Sequence, residues 1–297
     1  MIEGTEAMTE HVNDYRSIWT GLRDTAFEQG FVTVNGLNTR YVRSGTRGKP
    51  FLVMLHGTAG HWEAFSSNFK AHSADFDILA LDMIGCGFTD KPNHPLEIKD
   101  YMGHVLGFLN VMEVGKAHFM GCSLGAWISA AIARTYPERI GKLVLLSASG
   151  YFSSAENRGR IISQRTKAVD DPSWENIKAI FNKLLAKEES RIDDLVAHRQ
   201  ALYRMPEMKQ GMLNILALQD PDIRERNLLK DDDWRAITAE ALVVGSLADA
   251  DEYLRTAQVV SKLMPNARYV EMEGVGHWPQ FEDPHTFNRL SLEFLTA

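Results

Sequence analysis

Short runs of β-branched and aliphatic residues, bounded by turn residues, recur through the first half of the chain at 31–34, 39–43, 51–55, 77–81, 117–121 and 142–146. Each has the length and composition of a strand. Between the later runs, segments at 98–112 and 124–136 carry apolar residues at helical spacing. That alternation predicts parallel strands joined by helical crossovers. Only Asn35-Gly-Leu-Asn38 separates the first two runs, which predicts an antiparallel hairpin leading into the sheet.

After Leu146 the pattern changes. Residues 149–235 are polar, helical in character and without a convincing strand, with helices expected from Asp171-Pro-Ser-Trp, from Glu189-Ser-Arg-Ile, and over 209–219. The earlier rhythm resumes with a strand at 241–244, a helix over 253–263, a strand at 268–272 and a last helix over 284–295. The chain therefore divides into an N-terminal arm (1–30), a first part of a core (31–148), an inserted helical block (149–235) and a second part of the core (236–297). In the arm, residues 11–27 read as a short amphipathic helix, a partner contact or a disordered segment.

Composition removes several function classes. Among 297 residues, 32 Lys and Arg stand against 39 Asp and Glu, a net charge of −7. There is no basic stripe, so nucleic acid is not an expected partner. Two cysteines, Cys86 and Cys122, are too few for a disulfide scaffold. The opening residues lack the basic start and apolar core of a secretory signal, and the longest apolar runs are strand-sized, whereas a membrane helix needs about 20 residues. The expectation is a cytoplasmic protein with no membrane partner; homo-oligomer formation, for instance through the arm, is left open.

The candidate chemistry sits at strand ends. Gly121-Cys-Ser-Leu-Gly125 falls where an expected strand hands over to an expected helix, a context that holds a serine hydroxyl exposed on a sharp turn and makes Ser123 a candidate nucleophile. Such a hydroxyl needs a base. His277, in Gly274-Val-Gly-His-Trp278 after the last strand, suits that role better than His198 in the helical block or His285 on the last helix. A carboxylate to orient the imidazole is expected after strand 241–244, where Asp249 is preferred and Asp251 remains the alternative. The loop Leu55-His-Gly-Thr-Ala-Gly60 offers the backbone N–H of Thr58 which, with that of Leu124, could form an oxyanion hole; read alone it is a plain glycine turn.

Together these features resemble the α/β-hydrolase fold from about residue 31 to 295: a mostly parallel sheet flanked by helices, with block 149–235 as the lid. Within it the chain is most similar to the meta-cleavage product hydrolases, which cleave a carbon–carbon bond in 2-hydroxy-6-oxo-hexa-2,4-dienoate-type products of catechol ring opening. Gly276-His-Trp-Pro-Gln-Phe-Glu282 and the segment 194–203 carry this likeness. The resemblance implies a serine-dependent hydrolase of aromatic-compound degradation that uses no cofactor and no metal. It also implies that Arg199 pairs with a substrate carboxylate and that Trp278 lines the pocket; a planar guanidinium suits such pairing, although neighbouring charges would also fit a solvated helix face.

Departures from the family pattern lie close to the site. His61 follows the Thr58 loop and is expected to enter the pocket, and Cys122 stands before the nucleophile where many members have asparagine. These differences keep two other functions in view. One is a carboxylesterase or lactonase using the same three residues; the other is a non-catalytic ligand receptor on the same scaffold.

Overall fold

The computed structural model describes residues 17–249 and 251–297. The start of the expected arm helix, 11–16, lies outside them. Its described end is a short helix, α1 (Ile18–Leu22), capped by Ser17, whose hydroxyl accepts the Trp19 N–H. The chain then enters β1 (Phe27–Val34), four residues earlier than expected, because β1 pairs along its whole length with β2 (Leu37–Gly45). Register places Val34 opposite Leu37, so the hairpin turn is Asn35-Gly36 alone. Both of those residues adopt positive φ, 50° and 83°, as the tightest hairpin turns require.

The remaining strands are β3 (Phe51–Leu55), β4 (Asp77–Leu81), β5 (Ala117–Cys122), β6 (Ile140–Leu146), β7 (Ala241–Ser246) and β8 (Ala267–Met272). They form one eight-stranded sheet in the order β1-β2-β4-β3-β5-β6-β7-β8. β2 meets β4 antiparallel, and every pairing from β4 onward is parallel. Every residue of β4 and β7 is buried, as continuous apolar runs covered on both faces should be. The flanking helices are α2 (Phe69–His72), α3 (Ile98–Val111) and α4 (Leu124–Thr135), with three more after the lid, α11 (Asp251–Leu263), α12 (Pro279–Glu282) and α13 (Pro284–Thr296).

Between β6 and β7 lie α5 (Ala155–Asp170), α6 (Trp174–Leu184), α7 (Asp193–Tyr203), α8 (Met208–Leu216), α9 (Pro221–Asn227) and α10 (Asp231–Arg235). The first of these, sixteen residues long, was not expected from the sequence. The Ser154 N–H ties its start to the core by donating to Glu252, and the Ser154 hydroxyl caps the helix by accepting the Asn157 N–H.

Strand order fixes where a site can form. From β3 the chain crosses to β4 on one side and then to β5 on the other, so the crevice beyond the carboxyl ends of β3 and β5 is a topological switch point. In open α/β sheets that is where ligands bind.

Candidate active site

Ser123 follows β5 at this switch point. Its backbone has φ 55° and ψ −114°, a conformation costing on the order of 1–3 kcal/mol for a residue other than glycine. The surroundings enforce it. The Ser123 N–H donates to Leu146 O at 2.9 Å and its carbonyl accepts the Trp127 N–H at 3.1 Å. The flanking glycines are required by close approach: a methyl group at Gly121 would stand 2.4 Å from Gly125 backbone, and one at Gly125 would stand 2.1 Å from Leu55 O.

Loop 56–60 lies against the serine, close enough that a methyl group at Gly57 would be 3.2 Å from Ser123 Cβ. His56, fully buried, pins this loop: Nδ1–H donates to Gly57 O at 2.7 Å and Nε2 accepts the Met83 N–H at 3.0 Å. Burial pushes its pKa down, which keeps the ring neutral and able to accept. Thr58 lines the cavity beside Ser123. Leu124 opens α4, where the first N–H groups of a helix have no intrahelical acceptor.

His277 is brought to the same crevice by the loop after β8. Its Nδ1 lies 2.8 Å and 3.1 Å from the two carboxylate oxygens of Asp249. Backbone bonds between the two loops set that meeting, from Leu247 N–H to Met272 O and from Ala248 N–H to Val275 O. Asp249 is thus the carboxylate on the imidazole; the side chain of Asp251 lies outside the described residues. The Tyr253 ring packs 4.3 Å from the imidazole. His277 also donates its own N–H to Leu184 O at 2.8 Å, which joins the histidine loop to the end of α6. Glu282 strengthens that junction by accepting the N–H groups of Gly276 and Lys187.

Ser123, Asp249, His277, Thr58, Arg199 and Trp278 all line one cavity of about 160 Å³. Arg199, on α7, has no exposed surface, and none of its three guanidinium nitrogens has a partner. Its charge lies over the rings of Phe181 (4.6 Å) and Trp278 (5.8 Å), and burial pushes its pKa down to about 10. Three further cations line the cavity, Arg160, Lys183 and Arg165, the last with an unpartnered, buried Nη1. These came from α5 and the end of α6, and no motif in the sequence pointed to them.

Two expected pocket residues lie elsewhere. Cys122 is fully buried outside the cavity lining; its thiol, which burial keeps protonated, donates to His277 O at 3.4 Å. A side chain inside the strand end is turned toward the histidine loop, so Cys122 holds the backbone of His277. His61 is likewise buried outside the lining, its Nδ1 3.0 Å from Glu63, because the 3-10 turn over Trp62–Phe65 draws it toward that carboxylate. Among the described residues, His61, Glu63 and His198 are the one group able to offer three ligand atoms to a metal ion, all within 4.8 Å of one another. Glu63 is already committed to Arg40 at 2.7 Å.

No helix among the described residues is long and apolar enough to cross a membrane. Residues 52–290 match the model of the Alpha/beta hydrolase family. A 2-hydroxy-6-oxononadienedioate/2-hydroxy-6-oxononatrienedioate hydrolase of Burkholderia vietnamiensis is 30% identical over 272 residues, covering 87% of this chain and 91% of that protein. A 2-hydroxy-6-oxo-6-phenylhexa-2,4-dienoate hydrolase of Burkholderia cepacia is 28% identical over 283 residues, covering 89% and 95%. In three dimensions, the 2-hydroxy-6-oxo-6-phenylhexa-2,4-dienoate hydrolase of Rhodococcus sp. strain RHA1 superposes with a TM-score of 0.80 at 20% identity, covering 92% of this chain and all of that one, a likeness of fold. With a serine, a histidine and a carboxylate gathered at the switch point of such a sheet, the chain belongs to the alpha/beta hydrolase family and, within it, to the meta-cleavage product hydrolases.

Proposed function

We propose that the protein hydrolyses a carbon–carbon bond in a 2-hydroxy-6-oxo-hexa-2,4-dienoate-type ring-fission product, with Ser123, His277 and Asp249 as its catalytic residues. The observation that carries the reading is Arg199, a buried guanidinium without any oxygen partner in the cavity that holds Ser123. A carboxylate on the substrate would supply that partner bidentately. Relatives named for dienoate and dienedioate substrates support it.

In this mechanism the substrate's dienol first becomes the keto tautomer. His277, its Nδ1–H held by Asp249, accepts the Ser123 proton at Nε2 as Oγ attacks the remote ketone. The N–H groups of Thr58 and Leu124 receive the oxyanion. Collapse breaks the carbon–carbon bond; its electron pair stays on the departing dienoate fragment, which takes the proton from His277. Water then attacks the acyl-serine with His277 as base, releasing a carboxylic acid and restoring the serine.

The test is spectrophotometric. Wild type should bleach the coloured dienolate of a ring-fission product, and Ser123→Ala should lower turnover by about 10⁴-fold or more. Full activity of Ser123→Ala would overturn the assignment of the nucleophile. Rapid cleavage of p-nitrophenyl esters with no bleaching of any dienolate would replace this reading with an ester or lactone hydrolase.

A further inference from the structure

His61, Glu63 and His198 stand outside the lining of the Ser123 cavity, and the proposed reaction uses none of them. They come from two layers of the molecule. His61 and Glu63 sit at the 3-10 turn that follows the Thr58 loop, whereas His198 sits on α7 of the lid, next to Arg199. Although far apart in the chain, the two histidine rings lie 4.5 Å from each other, centre to centre.

The distances are those of ligands that share an ion. His61 Nδ1 is 3.0 Å from Glu63 Oε2, and His198 Nε2 is 3.3 Å from Glu63 Oε1. Nitrogen and oxygen ligands about 2.0–2.2 Å from a zinc ion stand roughly 2.8–3.6 Å from one another at octahedral to tetrahedral angles. Hydrogen bonding accounts for only part of this closeness. His198 Nε2 lies off the hydrogen-bond axis of the carboxylate and has no other partner, and neither has the buried Nε2 of His61. A ring nitrogen and a carboxylate oxygen held this close without a proton between them repel; a cation between them removes the repulsion. Arg40 Nη2, donating to Glu63 Oε1 at 2.7 Å, fixes the carboxylate in the way outer partners fix a ligating carboxylate. Arg40 also contacts Asp82 at 3.2 Å, so two carboxylates share one guanidinium, and negative charge is left over for a further cation.

We propose that His61, Glu63 and His198 bind a divalent transition-metal ion, zinc foremost, that fastens the lid helix α7 to the core. Two imidazole nitrogens and one carboxylate oxygen are a donor set for zinc and its neighbours, whereas magnesium and calcium take oxygen ligands. Three protein ligands leave a fourth position for water. The way in runs along His198, whose side chain is 18% exposed and packs beside the partly exposed ring of Phe88. Because the three ligands lie outside the Ser123 cavity, the ion braces the fold and takes no part in the chemistry: it holds the segment carrying Arg199 against the turn after Thr58. The inference does not depend on which bond the enzyme hydrolyses.

The test uses the full chain, stripped of metal with EDTA and then freed of the chelator. Cobalt(II), titrated in as a spectroscopic probe, should give visible d–d bands that saturate at one ion per chain, and zinc should displace it. His198→Gln and His61→Gln should each lower the affinity for zinc by about 100-fold or more. His94→Gln and His285→Gln, which remove exposed histidines elsewhere on the surface, should leave it unchanged. Melting curves of the metal-free variants separate loss of a ligand from loss of the fold; should His61→Gln fail to fold, His198→Gln, on the more open side of the site, decides. Zinc should also slow amide hydrogen exchange in the turn at 62–65 and in α7 together. Absence of saturable binding overturns the inference, as does full affinity in folded His198→Gln or binding that is lost with His94 or His285. Slowed exchange in one of the two segments without the other overturns the fastening of lid to core.

Discussion

His277 and Arg199 line the same cavity and are almost equally hidden, 7% and 0% exposed, yet their surroundings are opposite. Around His277 the N–H donates to Leu184, the carbonyl accepts from Cys122, and Nδ1 faces Asp249. Around Arg199 there are two aromatic faces, and none of its three guanidinium nitrogens has a hydrogen-bond acceptor. The difference separates two kinds of preparation. Groups on loops of the sheet are fixed by their neighbours before substrate arrives, whereas the charge on the lid lacks a partner that the ligand can provide. With a net charge of −7, the protein as a whole repels an anion, so attraction depends on the four cations around the cavity.

Breaking the fixed side of this contrast should have the largest effect. Asp249→Asn keeps the size of the group but removes the charge and allows the imidazole the wrong tautomer; kcat should fall by about 10³–10⁴-fold with KM little changed. Single-turnover measurements on the ring-fission product or ester that wild type cleaves would check it. A fall of less than tenfold would mean that another carboxylate orients His277.

Breaking the unsatisfied side should separate stability from binding. Arg199→Met places an apolar chain between Phe181 and Trp278, where the native residue is a buried cation. We expect KM for a carboxylate-bearing substrate to rise by about 100-fold, while the free protein gains about 1–3 kcal/mol, offset in part by the lost ring contacts. Thermal unfolding without ligand and steady-state kinetics measure the two changes. A destabilised variant with unchanged KM would make Arg199 a structural residue and remove the main support for an anionic substrate.

The same contrast explains what the sequence could reveal. Strands buried on both faces must be continuously apolar, so β3 to β7 were legible from runs such as Phe51-Leu-Val-Met-Leu55, and the close packing of glycines around Ser123 left a readable motif. The lid was legible only as a helical block. α5 carries its polar groups Arg160, Gln164 and Arg165 toward the cavity, which defeats a reading that assumes apolar residues face inward. Cys122 and His61 were misplaced for a related reason: adjacency to a catalytic motif in sequence does not say which way an alternating side chain points. Glu282 closes the motif that carried the family likeness, but its bridging of the Gly276 and Lys187 N–H groups is visible only in three dimensions.

The smallest effect per residue tests the satisfied histidines of the core. His72 Nδ1–H donates to Asn68 O (2.8 Å) while Nε2 accepts from the Ser291 hydroxyl (2.9 Å), and His104 sits between the Ile84 N–H and Thr39 Oγ1. Burial, outweighing the help His72 receives from Asn68, pushes both pKa values down to about 4. The unfolded chain takes these protons near pH 6.5, so between 6.5 and 4 it binds more protons than the native state and stability falls as pH falls. Each histidine contributes a slope of about 1.4 kcal/mol per pH unit in that window, levelling off below pH 4. Urea midpoints at pH 7, 6 and 5 should therefore drop progressively, and His104→Gln, which retains hydrogen-bonding groups without a titrating ring, should flatten the decline by one histidine's share. An unchanged slope would show that His104 takes up its proton in the folded protein at about the same pH as in the unfolded chain, so that burial does not penalise the charged ring there.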